Sequence, residues 1–284
     1  MNSCIFRNRV PVFLGSALLG SLIAFAGCGV STANKGDTSN STPRTADGKP
    51  DLSGYWGRLK VDAPPQTDPI SDAEVDGKPE GYAEYIVAFE ADAQVNARRQ
   101  TNRPIYKPGY WDKIRSVDWD YSRKKDPQSH CLFGVPRLGI PQKIVQSPNE
   151  VIFFYEEDSN VFRVIPTDNR PHNRVKITLP SWLGDSIGHW EGDTLVIETI
   201  ALIDQGWLGP TGYIRTADTR VTERLHRDGN KLSLERIVED PMLLQPWHMD
   251  TLSAQLNTNP QAALWDEICS DPDESYQGDP YSGR

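Results

Sequence analysis

From Val135 onward the chain divides into short runs rich in β-formers, separated by turn residues at close intervals. The runs are 143–146, 151–155, 161–165, 185–190, 194–199, 221–227, 231–238 and 249–255. Two of the reversals centre on glycine, at Glu191-Gly192-Asp193 and Asp228-Gly229-Asn230. Glycine accepts the positive φ that closes a hairpin loop, so both read as tight turns, the first as a three-residue loop. Strands at this spacing predict a mainly β protein, an antiparallel meander curled into a barrel or sandwich. With 22 glycines and 22 prolines, the composition suits many short strands better than long helices.

Helical spacing occurs only upstream of this region. Tyr82, Tyr85, Ile86 and Phe89 mark one helix within 80–100, and Trp111, Ile114, Val117 and Tyr121 mark another within 108–123. One or two helices therefore precede the sheet.

The N-terminus is built differently. Arg7 and Arg9 precede an apolar run over 12–26, too short to span a bilayer once its flanks are counted. Small residues then precede Cys28, an arrangement that resembles a bacterial lipoprotein signal, with Phe25 where leucine is usual. Residues 1–27 read as the signal and Cys28 as the lipidated residue, with plain secretion as the alternative. Gly29 after Cys28, with no aspartate there, favours the outer membrane and a domain facing the periplasm. Residues 28–49, poor in apolar side chains, read as a flexible tether. Residues 50–270 form one β-barrel domain, and 271–284 a loose acidic tail.

Loss of 1–27 removes two positive charges, taking the formal charge of −9 to about −11. So acidic a domain, with no basic patch interleaved with aromatics, argues against nucleic acid as a partner and against adhesion to anionic lipid except through the N-terminal lipid. Two cysteines remain after Cys4 and Cys28 are set aside. In an oxidising compartment Cys131 and Cys269 are expected to pair, closing about 140 residues and stabilising by about 4–5 kcal/mol in the chain-entropy model. No metal site is expected, because neither cysteine has a second ligand at zinc spacing apart from adjacent His130, and no two histidines share a ligand spacing. No phosphate-binding glycine loop or haem motif appears, so no cofactor is expected.

The candidate chemistry gathers on the run at 185–190. Asp185, Ile187 and His189 share one face and Ser186, Gly188 and Trp190 the other. Facing inward, His189 would serve as acid or base, with Asp185 or Arg163 steadying developing charge. Asp185 and His189 stand about 13 Å apart along an ideal strand, so only a substrate lying along it would touch both. A structural histidine at the barrel rim is the plainer alternative. Arg163, His172, Trp190 and Trp182 are the candidate ligand contacts; the same arginine and histidine also suit a solvated turn, and the tryptophans also suit the core. Gly184-Asp185-Ser186-Ile187 resembles the nucleophile block of GDS-type hydrolases, but it runs into a hairpin, and His248 follows Gln245 where that pattern needs aspartate.

Several phrases resemble a widespread family of secreted bacterial proteins: GKPDLSGYW at 48–56, DPQSHCLFGVPR at 126–137, PQKIVQSPNEVIFFYE at 141–156, RVIPTDNRPH at 163–172, the 180–199 segment and ERLHRDGNKLSLERIVEDP at 223–241. The resemblance covers about 48–270 and implies a periplasmic or surface barrel of calycin-like, lipocalin-like shape. It brings no catalytic residues. The chain departs from it at Ile214-Arg215-Thr216-Ala217, where such proteins often carry a Pro-His-Ser-Glu-like step.

Together these readings predict an envelope lipoprotein whose barrel encloses a small, largely apolar molecule. Cofactor-free acid–base chemistry at His189 (isomerisation, cyclisation, elimination or hydration) is one outcome. A carrier that releases the molecule unchanged, or a docking protein of the envelope, are the alternatives.

Overall fold

The computed structural model describes residues 41–58, 102–117, 125–156, 160–209, 212–265 and 269. The signal at 1–27, Cys28, the helix at 80–100 and the tail at 271–284 lie outside them. The rest is mostly β. A ladder runs in the order β4 (Val161–Pro166), β3 (Glu150–Tyr155), β2 (Lys143–Gln146), β1 (Gly54–Arg58), β12 (Leu252–Leu256), β10 (Lys231–Glu239), β9 (Arg220–Asp228), β6 (Thr194–Ile200) and β5 (Asp185–Glu191). Every pairing along it is antiparallel. β11 (Trp247–His248) adds to β10, and β7 (Trp207–Gly209) pairs with β8 (Tyr213–Ile214) in a separate ribbon. The expected barrel is present, nearly closed.

The chain's first strand completes most of the circle, because β1 pairs with β2 on one side and with the last strand, β12, on the other. What stays open is the step from β4 to β5. Nine antiparallel strands in a row leave the first and last pointing the same way. Arg163 meets Ser186, and two residues further along both strands Ile165 lies against Gly188. Parallel neighbours need a crossover, which residues 167–184 supply, with α2 (Arg174–Thr178) in it. β4 and β5 approach through side chains and share no ladder among the described residues. They form a seam in the wall.

The alternation of the long strands fills the interior. Val151, Phe153 and Tyr155 of β3, Val221 and Leu225 of β9, and Leu232, Leu234 and Val238 of β10 are all buried. They pack with Trp56, Ile144, Ile165, Leu195 and Ile197 in one continuous core. The hollow expected at the centre is therefore occupied by the protein's own side chains, and open space is displaced to the wall. A barrel of this size fills its interior when inward positions carry large apolar residues.

Local expectations are refined at several points. Both glycine turns are two-residue loops, since Glu191 pairs with Thr194 and Asp228 with Lys231; Gly192 at φ +60° and Gly229 at φ +55° take the first loop position. Only α1 (Trp111–Arg115), after a 3₁₀ turn at Pro108–Tyr110, forms within 108–117, burying Trp111 and Ile114. Of the expected tether at 28–49, residues 28–40 lie outside the described residues and 41–49 lie within them. Residues 41–50 fold back on the barrel, with Arg44 bonded to Asp193 at 2.8 and 2.6 Å and the Gly229 N–H donating to Thr42 at 2.8 Å. Cys131 and Cys269 form the expected disulfide. The unusual Arg215 is buried under the ribbon and donates to the carbonyls of Ile203 and Val135. Burial pulls its guanidinium down to about 10 against the opposing pull of Asp240 and Asp204. A Cβ added at Gly206 would lie 2.3 Å from that guanidinium, so glycine is what makes room for it.

Candidate functional site

The seam between β4 and β5 opens into a cleft of about 430 Å³. Its floor is polar, formed by Arg163 and Ser186, the inward residues where the two strands face each other. Its walls are apolar. Phe162 and Val164 come from the outer face of β4, and Val175, Leu179 and Leu183 from the crossover. Lys176 stands at the rim with its ammonium 3.2 Å from Asp185. The volume is in the range that holds a small organic molecule.

The floor belongs to a buried network. Arg163 Nη1 donates to Tyr155 Oη at 3.1 Å. Its Nη2 lies 2.6 Å from Glu223 Oε2, 2.9 Å from Ser186 Oγ and 3.0 Å from Thr199 Oγ1. Ser186 and Thr199 are in turn 2.9 Å apart. Burial alone would pull the guanidinium down, yet the charge of Glu223 and the Tyr155 oxygen hold it above its ordinary value. Burial raises the Tyr155 phenol, so the ring stays a neutral hydroxyl. The pair is close to electrically neutral, and a buried pair of this kind is tolerated because each charge is matched and hydrogen-bonded.

Two features leave bonding capacity at the floor. Nη2 carries two hydrogens for three oxygens, so one of the two hydroxyls is free to exchange partners at any moment. Arg163 Nε is buried with no hydrogen-bond partner among the described residues. Ser186, which lines the cleft, presents an adaptable hydroxyl toward it. Among the described residues, no group of three or more His, Cys, Asp and Glu side chains is disposed to hold a metal ion.

The expected catalytic pair is not assembled there. His189 lies on the outer face of β5, its side chain half exposed, 3.3 Å from Glu191 on the same strand. Inward orientation was the condition for its acid–base role, and the condition is not met. The reason is register. Ser186, Gly188 and Trp190 oppose Thr199, Ile197 and Leu195 of β6, and that set faces the core. Asp185 shares the outer face but is covered by the crossover. Its carboxylate accepts from the Asn173 N–H at 2.8 Å and lies 2.9 Å from His172 Nδ1. His172 Nε2 reaches Glu198 at 2.9 Å, so the imidazole clasps the crossover to the outside of β5 and β6. Partial burial pushes the Glu198 carboxyl up, but hydrogen bonds from His172 and Arg220 outweigh it and leave the group below its ordinary value.

Of the expected ligand contacts, Arg163 is in the cleft. His172 is in the clasp behind it. Trp182 packs with Leu132 and Ile203 beside the β7–β8 ribbon, away from the seam. Trp190 sits at the far end of β5 against the core, with Lys49 Nζ 5.9 Å from its ring centroid. Ser186 has Arg163 and Thr199 as partners and no imidazole, which agrees with rejecting it as a hydrolase nucleophile. Glu223, Thr199 and Tyr155 were missed, although Glu223 sits between Val221 and Leu225 on the face that alternation turns inward. Comparison with protein-family models, curated proteins and solved structures finds no match to this chain.

Proposed function

We propose that the protein binds a small, largely apolar molecule in the seam cleft and carries it without converting it. The observation that supports this is the meeting of apolar walls with a buried, charge-balanced Arg163–Glu223 floor that still has hydrogen-bonding capacity. The guanidinium charge is spent on Glu223, so a neutral oxygen suits the floor better than a carboxylate, whose burial without a counterion is costly. The same geometry favours a carrier over an acid–base enzyme. Glu223 is bonded to Arg163, and His189 faces solvent.

The proposed setting is the bacterial envelope, with residues 1–27 as the signal, Cys28 as the lipid anchor and the periplasm as the compartment. The Cys131–Cys269 disulfide supports an oxidising location. The test is displacement of Nile red by 1-decanol from the purified protein. Displacement that weakens at least tenfold in Ser186→Val and Leu183→Trp supports the cleft. Equal displacement in both variants refutes it.

A further inference from the structure

The mouth of the cleft opens onto an apolar surface that no element covers among the described residues. Val175 is 65% exposed, Phe162 58%, Ile177 44%, Leu179 42% and Val164 40%. α2 buries none of its residues. Among its contacts are polar ones: the Asn173 side chain caps its first turn, and Lys176 reaches Asp185. The patch continues across the sheet. Val145, Ile152 and Val164 oppose one another in register on the outside of β2, β3 and β4, and the rings of Phe154 and Phe162 lie beside them with centroids 6.3 Å apart. An edge strand with a bare apolar outer face is a liability unless something meets it.

The charge beside this patch is opposite to that of the chain. Overall there are 39 acidic residues against 30 basic, yet residues 169–179 contain Arg170, Arg174 and Lys176 and no carboxylate. Arg170 is bonded to Asp168, and Lys176 lies near Asp185. Arg174 is exposed and has no acidic partner among the described residues. Exposed aliphatic and aromatic side chains flanked by cations are the pattern that seats at the interface of an anionic bilayer. A second copy fits less well, because a twofold contact through this face would bring two like-charged rims into one interface.

We infer that the rim of the seam, Phe162 and Val164 with the crossover from Arg174 to Leu179, docks on an anionic lipid surface. Docked this way, the cleft faces the bilayer, and an apolar molecule passes between membrane and floor without crossing water. The inference rests on the cleft reading for its purpose and on the exposed patch for its geometry.

The test is hydrogen exchange of the full chain with and without vesicles of phosphatidylcholine, alone or mixed with phosphatidylglycerol. An anchor at the N-terminus is common to every arm, so the readout is confined to residues 160–180. Protection at 162–164 and 174–179 is expected with anionic vesicles and not with phosphatidylcholine alone. The protection factor should fall about fivefold in Arg174→Gln, the weight of one cation near an anionic surface, and vanish in Ile177→Asp. Neither residue lines the cleft. No protection by anionic vesicles overturns the inference, as does equal protection by both lipids. Full protection of 174–179 already present without vesicles also overturns it, because the patch is then covered by the protein or a second copy. Docking that persists while Nile red displacement fails in wild type and variants alike removes the cleft reading and leaves the docking surface. The reverse pattern removes docking alone.

Discussion

Arg163 of β4 donates from Nη2 to Ser186 Oγ of β5 at 2.9 Å, and this bond spans two neighbouring strands that share no ladder among the described residues. The seam is thus closed on the inside by a side-chain contact and open on the outside. On the proposed reading, stability, access and ligand choice all depend on that one place.

Glu223→Leu is expected to destabilise the fold by about 3–5 kcal/mol, because it leaves the Arg163 guanidinium buried without its counterion. The double variant Arg163→Met with Glu223→Leu should recover most of that loss. Urea unfolding of the three proteins measures it, and a double variant no better than the single one contradicts the pairing argument.

Gly188 lies where the two strands pack closely. An added Cβ would lie 3.1 Å from Ile165 Cγ2 and 3.3 Å from Leu195 Cδ1 and Thr167 Cγ2. Gly188→Val should therefore cost about 1–3 kcal/mol and push β4 from β5, as overpacking does in a filled core. A thermal melt indistinguishable from wild type would show that the seam already has room.

Much of this was legible in the residues, and the exceptions have definite causes. The meander follows from the spacing of β-formers and turn glycines. Charges at Arg163, Glu223 and Arg236 stand at positions that alternation turns inward, so a buried polar network was readable in principle. The facing of His189 was not. Its partner strand β6 carries Leu195, Val196 and Ile197 in succession, all buried, so neither face of the hairpin announces itself as the solvent side. Nor was the seam, which arises from the parity of the strand count and from a crossover whose apolar side chains stay exposed.

The clasp should weaken in acid. The Glu198 carboxyl lies below its ordinary value of 4.5 in the folded protein. Its contribution is therefore complete above that ordinary value and is lost as pH falls through the folded one. Hydrogen exchange at 172–179 should speed up below about pH 4.5 relative to the hairpin at 220–239, and Glu198→Gln should show the fast exchange at neutral pH. Unchanged relative exchange in acid contradicts a role for the clasp in holding the crossover.

Reduction of Cys131–Cys269, whose sequence separation is 138, should lower stability by about 4–5 kcal/mol in the chain-entropy model. Denaturation with and without dithiothreitol, against a Cys131→Ser, Cys269→Ser variant, measures the loss. Identical midpoints would mean that the bridge constrains nothing in the unfolded chain.

The most direct measurement on the central claim compares two ten-carbon ligands that differ only in the head. Calorimetric titration with 1-decanol and with decanoate at neutral pH should show the alcohol binding one site about tenfold or more tighter, since the Arg163–Glu223 floor accepts a neutral oxygen and has no unmatched cation for a carboxylate. Leu183→Trp should abolish both heats while the melting temperature stays within a few degrees. Tighter binding of decanoate, or undiminished binding of the alcohol in Leu183→Trp, would contradict the account.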